Sequence, residues 1–299
     1  MASMADEISR LKAERNAVIL AHNYVSPEVQ GIADYVGDSL GLSMKAASTD
    51  ASVIVFCGVS FMGETAKVLS PNKMVLLPEP EAHCPMASMC TAEQLRMFKE
   101  RNPGIPIVGY VNSTVESKVE MDVCCTSSNA IEVVNSLESN DVLFVPDMNL
   151  GRYVASRSDK NVRLWDGFCP LHQSMTRRQL DDLKAKHPDA VVLAHPECRP
   201  EVLERADFIG STEAMMRHPG DSGSKEFILF TEEGLRCRLE RDYPDRSFYF
   251  PSNAVCTTMK MVTLKSVLEC LRDQSGEVLL GHDVLKGAYR PVRRMMDVQ

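Results

Sequence analysis

Short apolar runs recur along the chain, each closed by a polar turn. VILAH ends at His22, SVIVFCG starts at Ser52 and KMVLLP at Lys73. DVLFVPD follows from Asp141, NVRLWDG from Asn161, EFILFTE from Glu226 and RSFYFPS from Arg246. They are rich in Val, Ile, Leu and Phe and do not alternate strictly with polar residues. That pattern predicts strands buried on both faces, as in parallel sheets. Helical stretches separate them, and two open on Thr-x-x-Gln capping boxes, Thr91–Gln94 and Thr176–Gln179. Strands alternating with helices imply βαβ crossovers and three αβα layers.

The pattern repeats. LAHNYVSPEVQGIADYVGDS from Leu20 and LAHPECRPEVLERADFIGST from Leu193 share LAH, PEV and AD at an offset of 173 residues. A middle copy, VGYVNSTVESKVEMDVCCTSSNA from Val108, keeps the order without LAH; there Val111 is read as replacing the first-strand histidine. Each unit reads helix–strand–helix–strand–helix–strand and runs into a cysteine. These are Cys84, Cys169 and Cys256, spaced by 85 and 87 residues. The expected fold is therefore α/β: three homologous three-layer αβα domains with short parallel sheets around a pseudo-threefold axis. The expected boundaries are 1–88, 89–173 and 174–260, with 261–299 packing back on the first unit.

Composition narrows the function. The chain has 299 residues, 41 acidic against 33 basic, for a net charge of −8. With 44% hydrophobic and 25% charged residues it is a folding sequence. The acidic balance excludes a general binder of nucleic acid or anionic membrane. No apolar run approaches the ~20 residues that span a bilayer. The N-terminal MASMADEISRLKAERN reads as an amphipathic helix rather than a signal segment, so a cytoplasmic protein is expected. Ten cysteines in a reducing compartment do not imply disulfides. None forms a Cys-x-x-Cys pair, which excludes zinc ribbons and thioredoxin-type sites.

Ligand-binding loops of parallel α/β units lie at the carboxyl ends of the strands. His22–Asn23–Tyr24, Tyr110–Val111–Asn112 and His195–Pro196–Glu197–Cys198 should thus meet the three cysteine loops in one central cavity. Three thiolates there are soft metal ligands. A [4Fe–4S] cluster normally takes four, so three leave one iron open as a Lewis acid. Cys57, Cys90, Cys237 and Cys270 are read as small buried hydrophobes. Cys124, Cys125 and Cys198 stay open between burial and a redox or spare-thiol role. Ser39, Ser127 and Ser211–Thr212 open the corresponding helices, as anion-binding hydroxyls or as plain caps. His22, His172, His195, Tyr24, Tyr110 and Glu197 form the acid–base inventory, with Glu197 and His195 as a proton-transfer pair. His83, His187, His218 and His282 are assigned to loops and exposed helix ends.

These residues fall in segments that closely resemble the quinolinate synthase family: AHNY, ADYVGDSL, FCGVSFMGETAKVLSPNKMVLLP, HCPMA, YVNSTVESK, CTSSNA, FVPDMNLG, GFCPLH, AHPEC, GSTEAM, TEEG and PSNAVCTTMK. The resemblance spans nearly the whole chain. It implies three homologous αβα domains about a pseudo-threefold and a role in de novo NAD biosynthesis. It implies condensation of iminoaspartate with dihydroxyacetone phosphate to quinolinate, phosphate and two waters. It further implies a [4Fe–4S] cluster on Cys84, Cys169 and Cys256. The family's other site residues map onto His22, Tyr24, Ser39, Tyr110, Asn112, Ser127, His172, His195, Glu197, Ser211 and Thr212. Of these, Glu197, His195, Tyr24 and Tyr110 are expected to be catalytic, and the rest to bind substrate. A transient contact with an aspartate-oxidising enzyme is compatible with this reading. Two rivals stay open at this point: a hydro-lyase using the same cluster on a citrate-like acid, and a metal-binding sensor module without catalysis.

Overall fold

The computed structural model describes residues 3–298. Three parallel sheets carry it. The first holds β1 (Ala17–His22), β2 (Tyr35–Gly37), β3 (Val53–Cys57) and β4 (Met74–Leu76), in the order β2-β1-β3-β4. The second holds β5 (Ile107–Tyr110), β6 (Val123–Cys125), β7 (Asp141–Val145) and β8 (Asn161–Leu164), in the order β6-β5-β7-β8. The third holds β9 (Val191–Ala194), β10 (Phe208–Ile209), β11 (Glu226–Phe230) and β12 (Ser247–Tyr249), in the order β10-β9-β11-β12. Every pairing is parallel. The class is α/β, with flanking helices on each sheet.

Each sheet has four strands where the apolar runs indicated three. The extra strands β2, β6 and β10 are edge strands of two or three residues. Their segments, ADYVGD, MDVCCT and ADFIGS, are too short to show a period. What places them is an aspartate in each. Asp34 accepts the Ile19 N–H through Oδ2 at 2.8 Å and returns its own N–H to the Ile19 carbonyl at 2.9 Å. Asp122 does the same to Ile107 at 2.8 and 3.0 Å, and Asp207 to Val192 at 2.8 and 2.9 Å. The three copies are therefore in register at Ile19, Ile107 and Val192.

That register corrects the reading of the middle copy. Three residues past the anchored strand residue stand His22, Tyr110 and His195. Tyr110, not Val111, takes the histidine's place, and Val111 aligns with Asn23 and Pro196. Without LAH the middle copy aligns one residue adrift, and one residue reverses the face to which a strand side chain points.

The inner strands are buried along their length: Val53–Cys57 throughout, and β5 likewise. Their side chains belong to one apolar core that continues across all three units. Thr91 and Thr176 cap their helices in reciprocal boxes with Gln94 and Gln179. Thr263 repeats the device with Ser266. Each threonine stands seven residues past Cys84, Cys169 or Cys256, so each cysteine loop hands over to a capped helix. The helix Leu264–Asp273 packs on the helix Met4–Glu14 and on β3 of the first unit. The last helix, His282–Asp297, lies against the helix Ser60–Leu69 of the first unit and also against the helix Val115–Val119 and β6 of the second. No helix among the described residues is long and apolar enough to cross a membrane.

The aspartate anchors make a simple expectation. Asp207→Ala should lower the free energy of unfolding in urea by about 2 kcal/mol, the worth of a hydrogen bond to a carboxylate whose loss leaves a buried N–H unpaired, and Asp207→Asn, which keeps an acceptor, by less. Equal losses in the two variants would contradict the anchor.

Candidate active site and metal centre

The loops after β1, β5 and β9 meet the cysteine loops in a cavity of about 60 Å³. The first unit lines it with His22, Tyr24, Ser39 and Cys84. The second contributes Tyr110, Asn112, Ser127, Cys169 and His172, and the third His195, Glu197, Thr212 and Cys256. Of the residues expected to be catalytic, to bind substrate or to hold the metal, only Ser211 lies elsewhere; Asn23, Val111, Pro196 and Cys198 of the same loops also stand off the cavity. Ser211 lines an adjoining cleft of about 440 Å³ that shares Asp38 and Ser127 with the cavity.

The hydroxyls divide by role. Asp38, not Ser39, caps the helix Ser39–Ser48, accepting the Gly41 N–H at 2.8 Å. A carboxylate is the stronger acceptor for the free N–H groups of a first turn, and Ser39 is left to the cavity. Ser211 caps the helix Thr212–Asp221 through Ala214 N–H at 3.4 Å. Ser127 stands two residues ahead of the cap Asn129, and its hydroxyl lies 3.1 Å from His195 Nε2.

Glu197 is the centre of the polar network and is 3% exposed. Its Oε2 lies 2.7 Å from His172 Nδ1 and 3.3 Å from His195 Nδ1. The two imidazoles stack at 4.8 Å. His172 Nε2 is 3.2 Å from Thr231 Oγ1, which is 2.8 Å from the Tyr24 hydroxyl. The carboxylate only accepts, so His172 carries a proton on Nδ1. Its Nε2 and the Tyr24 hydroxyl both meet Thr231 Oγ1, a hydroxyl that can donate to one while accepting from the other. These contacts link Tyr24, Thr231, His172 and Glu197 in one chain along which a proton can pass.

Burial sets the charges. It opposes ionisation of Glu197, but His172 and His195 outweigh it and hold the carboxyl below its ordinary range. Burial pushes His22 down to about 3 and lowers His195. It raises Tyr24 and Tyr110 well above the usual phenol range, with the Glu197 charge adding to the effect. At neutral pH Glu197 is thus a carboxylate in a site where His22, Tyr24 and Tyr110 are neutral. Glu197 Oε1 and Asn112 Oδ1 are buried acceptors without a partner among the described residues. Unpaired buried acceptors are costly, and both residues line the cavity.

The thiols show a related tension. Burial pushes Cys84 up to about 12 and Cys169 well above its ordinary value. Both open short helical turns, Pro85–Met89 and Pro170–Ser174. Thiolates here call for a cation beside them, which a metal centre supplies. Among the described residues no fourth cysteine lines the cavity. Three soft donors, one per unit, fit a cluster held by three protein sulfurs. Cys169, His172 and Glu197 also form the one tight donor group among the described residues, within 4.8 Å of one another; His172 Nδ1 joins them, 2.7 Å from Glu197 Oε2 and 3.2 Å from Cys169 Sγ. Cys198 donates to the Phe230 carbonyl at 3.2 Å, and Cys124 and Cys125 are buried off the cavity.

Sequence reasoning missed three neighbours of the site. Thr231 comes directly after β11, where the other copies have Gly58 and Pro146, so the repeat carried no signal. Asp147 and Glu232 each stand two residues past β7 and β11. They accept the N–H of Cys169 at 3.0 Å and of Cys256 at 3.2 Å, and both are wholly buried. Val59 holds the matching place in the first unit. Two acids at copy-equivalent positions were a legible signal for these.

Fold and site together define a class: a three-unit α/β enzyme whose buried cavity gathers a His–Glu–Tyr network and one cysteine from each unit. Comparison with known proteins agrees. The family model described as "Quinolinate synthetase A protein" matches residues 6–297. The chain is 51% identical over 299 residues to the quinolinate synthase of Methanosarcina barkeri, covering 100% of this chain and 98% of that one. It is 47% identical over 299 residues to that of Alkaliphilus metalliredigens, covering 99% of both. It is 46% identical over 299 residues to that of Aquifex aeolicus, covering 98% and 93%. The chain belongs to the quinolinate synthetase A family.

His22 makes the site sensitive to acid. Its pKa is about 3 in the fold against 6.5 when free, so the unfolded state takes up the proton first. The stability that goes with the neutral ring is whole above about pH 6.5. It is lost as pH falls toward about 3, at up to ~1.4 kcal/mol per pH unit. The fall in Tm between about pH 7 and pH 5 should be smaller in His22→Gln than in the parent. An equal fall in both would show that the ring is not buried neutral.

Proposed function

We propose that the chain is a quinolinate synthase of de novo NAD biosynthesis, acting in the cytoplasm. It condenses iminoaspartate with dihydroxyacetone phosphate to give quinolinate, phosphate and two waters. The observation that carries this reading is the Tyr24–Thr231–His172–Glu197 chain, set in one buried cavity with three cysteines from three units, in a member of this family.

Cys84, Cys169 and Cys256 would hold a [4Fe–4S] cluster, whose open iron supplies a Lewis acid for a substrate oxygen. The protein does the rest. Glu197, charged and with one free oxygen, takes a proton from a condensing carbon, and His195 beside it shares the transfer. Tyr24 delivers a proton to a departing hydroxyl and is refilled through Thr231 and His172. Tyr110, pushed the same way by burial, orients the intermediate. Ser39, Asn112, Ser127, Thr212 and His22 hold carboxylates and phosphate, and Ser211 receives the incoming anion in the adjoining cleft; His172, with both ring nitrogens engaged by Glu197 and Thr231, serves the relay. The buried cavity keeps water from the imine.

Among the described residues neither arginine nor lysine lines the cavity, a poor match for a hydro-lyase that grips a citrate-like acid. The matched His, Tyr and Glu set has no use in a sensor module. An aspartate-oxidising enzyme is the class of partner that would deliver iminoaspartate, by transient contact. The function calls for neither nucleic acid nor membrane.

Anaerobically purified protein should be brown and form quinolinate from the two substrates. Cys84→Ser, Cys169→Ser and Cys256→Ser should each lose both properties, and any variant retaining them removes that cysteine from the ligand set. Glu197→Gln should keep the brown absorption and lose turnover by about 10²–10⁴-fold, the worth of a positioned acid–base group. Normal turnover in that variant would reassign the role. Thr231→Val, which keeps the shape and cuts the chain, should lower kcat with little change in KM; an unchanged kcat would show that Tyr24 is refilled by another route.

A further inference from the structure

Asn23 lies between two cavity residues, His22 and Tyr24, yet does not itself line the cavity. Its side chain is wholly buried and crosses from the first unit to the third. Nδ2 donates to Thr212 Oγ1 at 3.1 Å and to Glu213 Oε1 at 3.2 Å. Oδ1 accepts from Arg238 Nη1, which also donates to Glu213 Oε1 at 2.8 Å. The backbone is held as well: Asn23 N–H donates to the Gly37 carbonyl at 3.0 Å, and the Asn23 carbonyl accepts from Gln30 Nε2 at 3.0 Å.

The amide can face only one way. A guanidinium only donates, so Oδ1 must meet Arg238. A carboxylate only accepts, so Nδ2 must meet Glu213 and, with it, Thr212. Thr212 Oγ1 therefore receives a hydrogen bond from Asn23 and keeps its own proton. Its hydroxyl makes no other hydrogen bond among the described residues. At Ser127 the direction is not fixed in this way, because its partner His195 can donate or accept. Thr212 is also the first residue of the ten-residue helix Thr212–Asp221, where the peptide dipoles favour an anion.

We propose that Asn23, clamped by Arg238 and Glu213, is a positioning residue that sets Thr212 as a hydrogen-bond donor to an anionic group of the substrate. The proposal rests on the quinolinate synthase reading, which makes that group a carboxylate or a phosphate. Asn23→Asp tests it. The side chain keeps its shape and its bond to Arg238, but presents an acceptor to Thr212, whose proton then turns away from the cavity. Asn23→Ala removes the donor without adding a charge beside Glu213, and serves if Asn23→Asp does not fold.

The probe is pyridine-2,3-dicarboxylate, titrated calorimetrically into the cluster-loaded protein without oxygen. Wild type should bind it. Asn23→Asp should bind at least about tenfold more weakly, Asn23→Ala less so, and Thr212→Val about as weakly as Asn23→Asp, with the cluster absorption and Tm near wild type. In the double variant Asn23→Asp/Thr212→Val the penalties should not multiply, because both act through one hydroxyl. Wild-type affinity in both Asn23 variants would overturn the proposal, as would penalties that multiply in the double variant. Wild-type protein that does not bind the dicarboxylate overturns the functional reading, and the inference with it.

Discussion

A carboxylate buried without compensation costs several kcal/mol, and Glu197 is buried at the meeting point of three sheets. Its compensation comes from His172 of the second unit at 2.7 Å and His195 of its own unit at 3.3 Å. Removing His172 would leave the buried carboxylate with only the longer contact to His195. The charge thus ties units to one another as well as serving chemistry. Its free oxygen, with Asn112 Oδ1, is polarity the fold leaves unsatisfied at the cavity. Such exceptions mark functional sites.

Parallel strand order puts these groups in reach of one another. Every unit runs β-strands toward the same end, and the loops leaving that end reach the cavity: an acid–base loop after β1, β5 and β9, a cysteine loop after β4, β8 and β12. Small differences between the copies then divide the labour. The matched positions His22, Tyr110 and His195 supply two imidazoles and a phenol. Two residues on, Tyr24, Asn112 and Glu197 supply a phenol, an amide and a carboxylate. A fold with near threefold repetition makes a site that has no symmetry in its chemistry.

Much of this was legible in the sequence because repeats convert spacing into geometry. The intervals of 85 and 87 residues singled out three of ten cysteines, and LAH and PEV aligned the outer copies. The middle copy lost LAH, and only the Asp122–Ile107 bond restores its register. The edge strands were too short to carry a period. Thr231 and the Asn23–Arg238 clamp were out of reach for another reason. Each acts across units, between residues some 200 positions apart in the chain, and no local pattern encodes such a contact.

The proposed cluster requires convergence: one sulfur from each unit on one inorganic centre. Anomalous scattering at the iron edge from crystals grown without oxygen tests it most directly. It should show a single compact iron site bonded to the sulfurs of Cys84, Cys169 and Cys256, with no fourth protein atom bound. Iron bound elsewhere, or a fourth side chain on the cluster, would contradict the account.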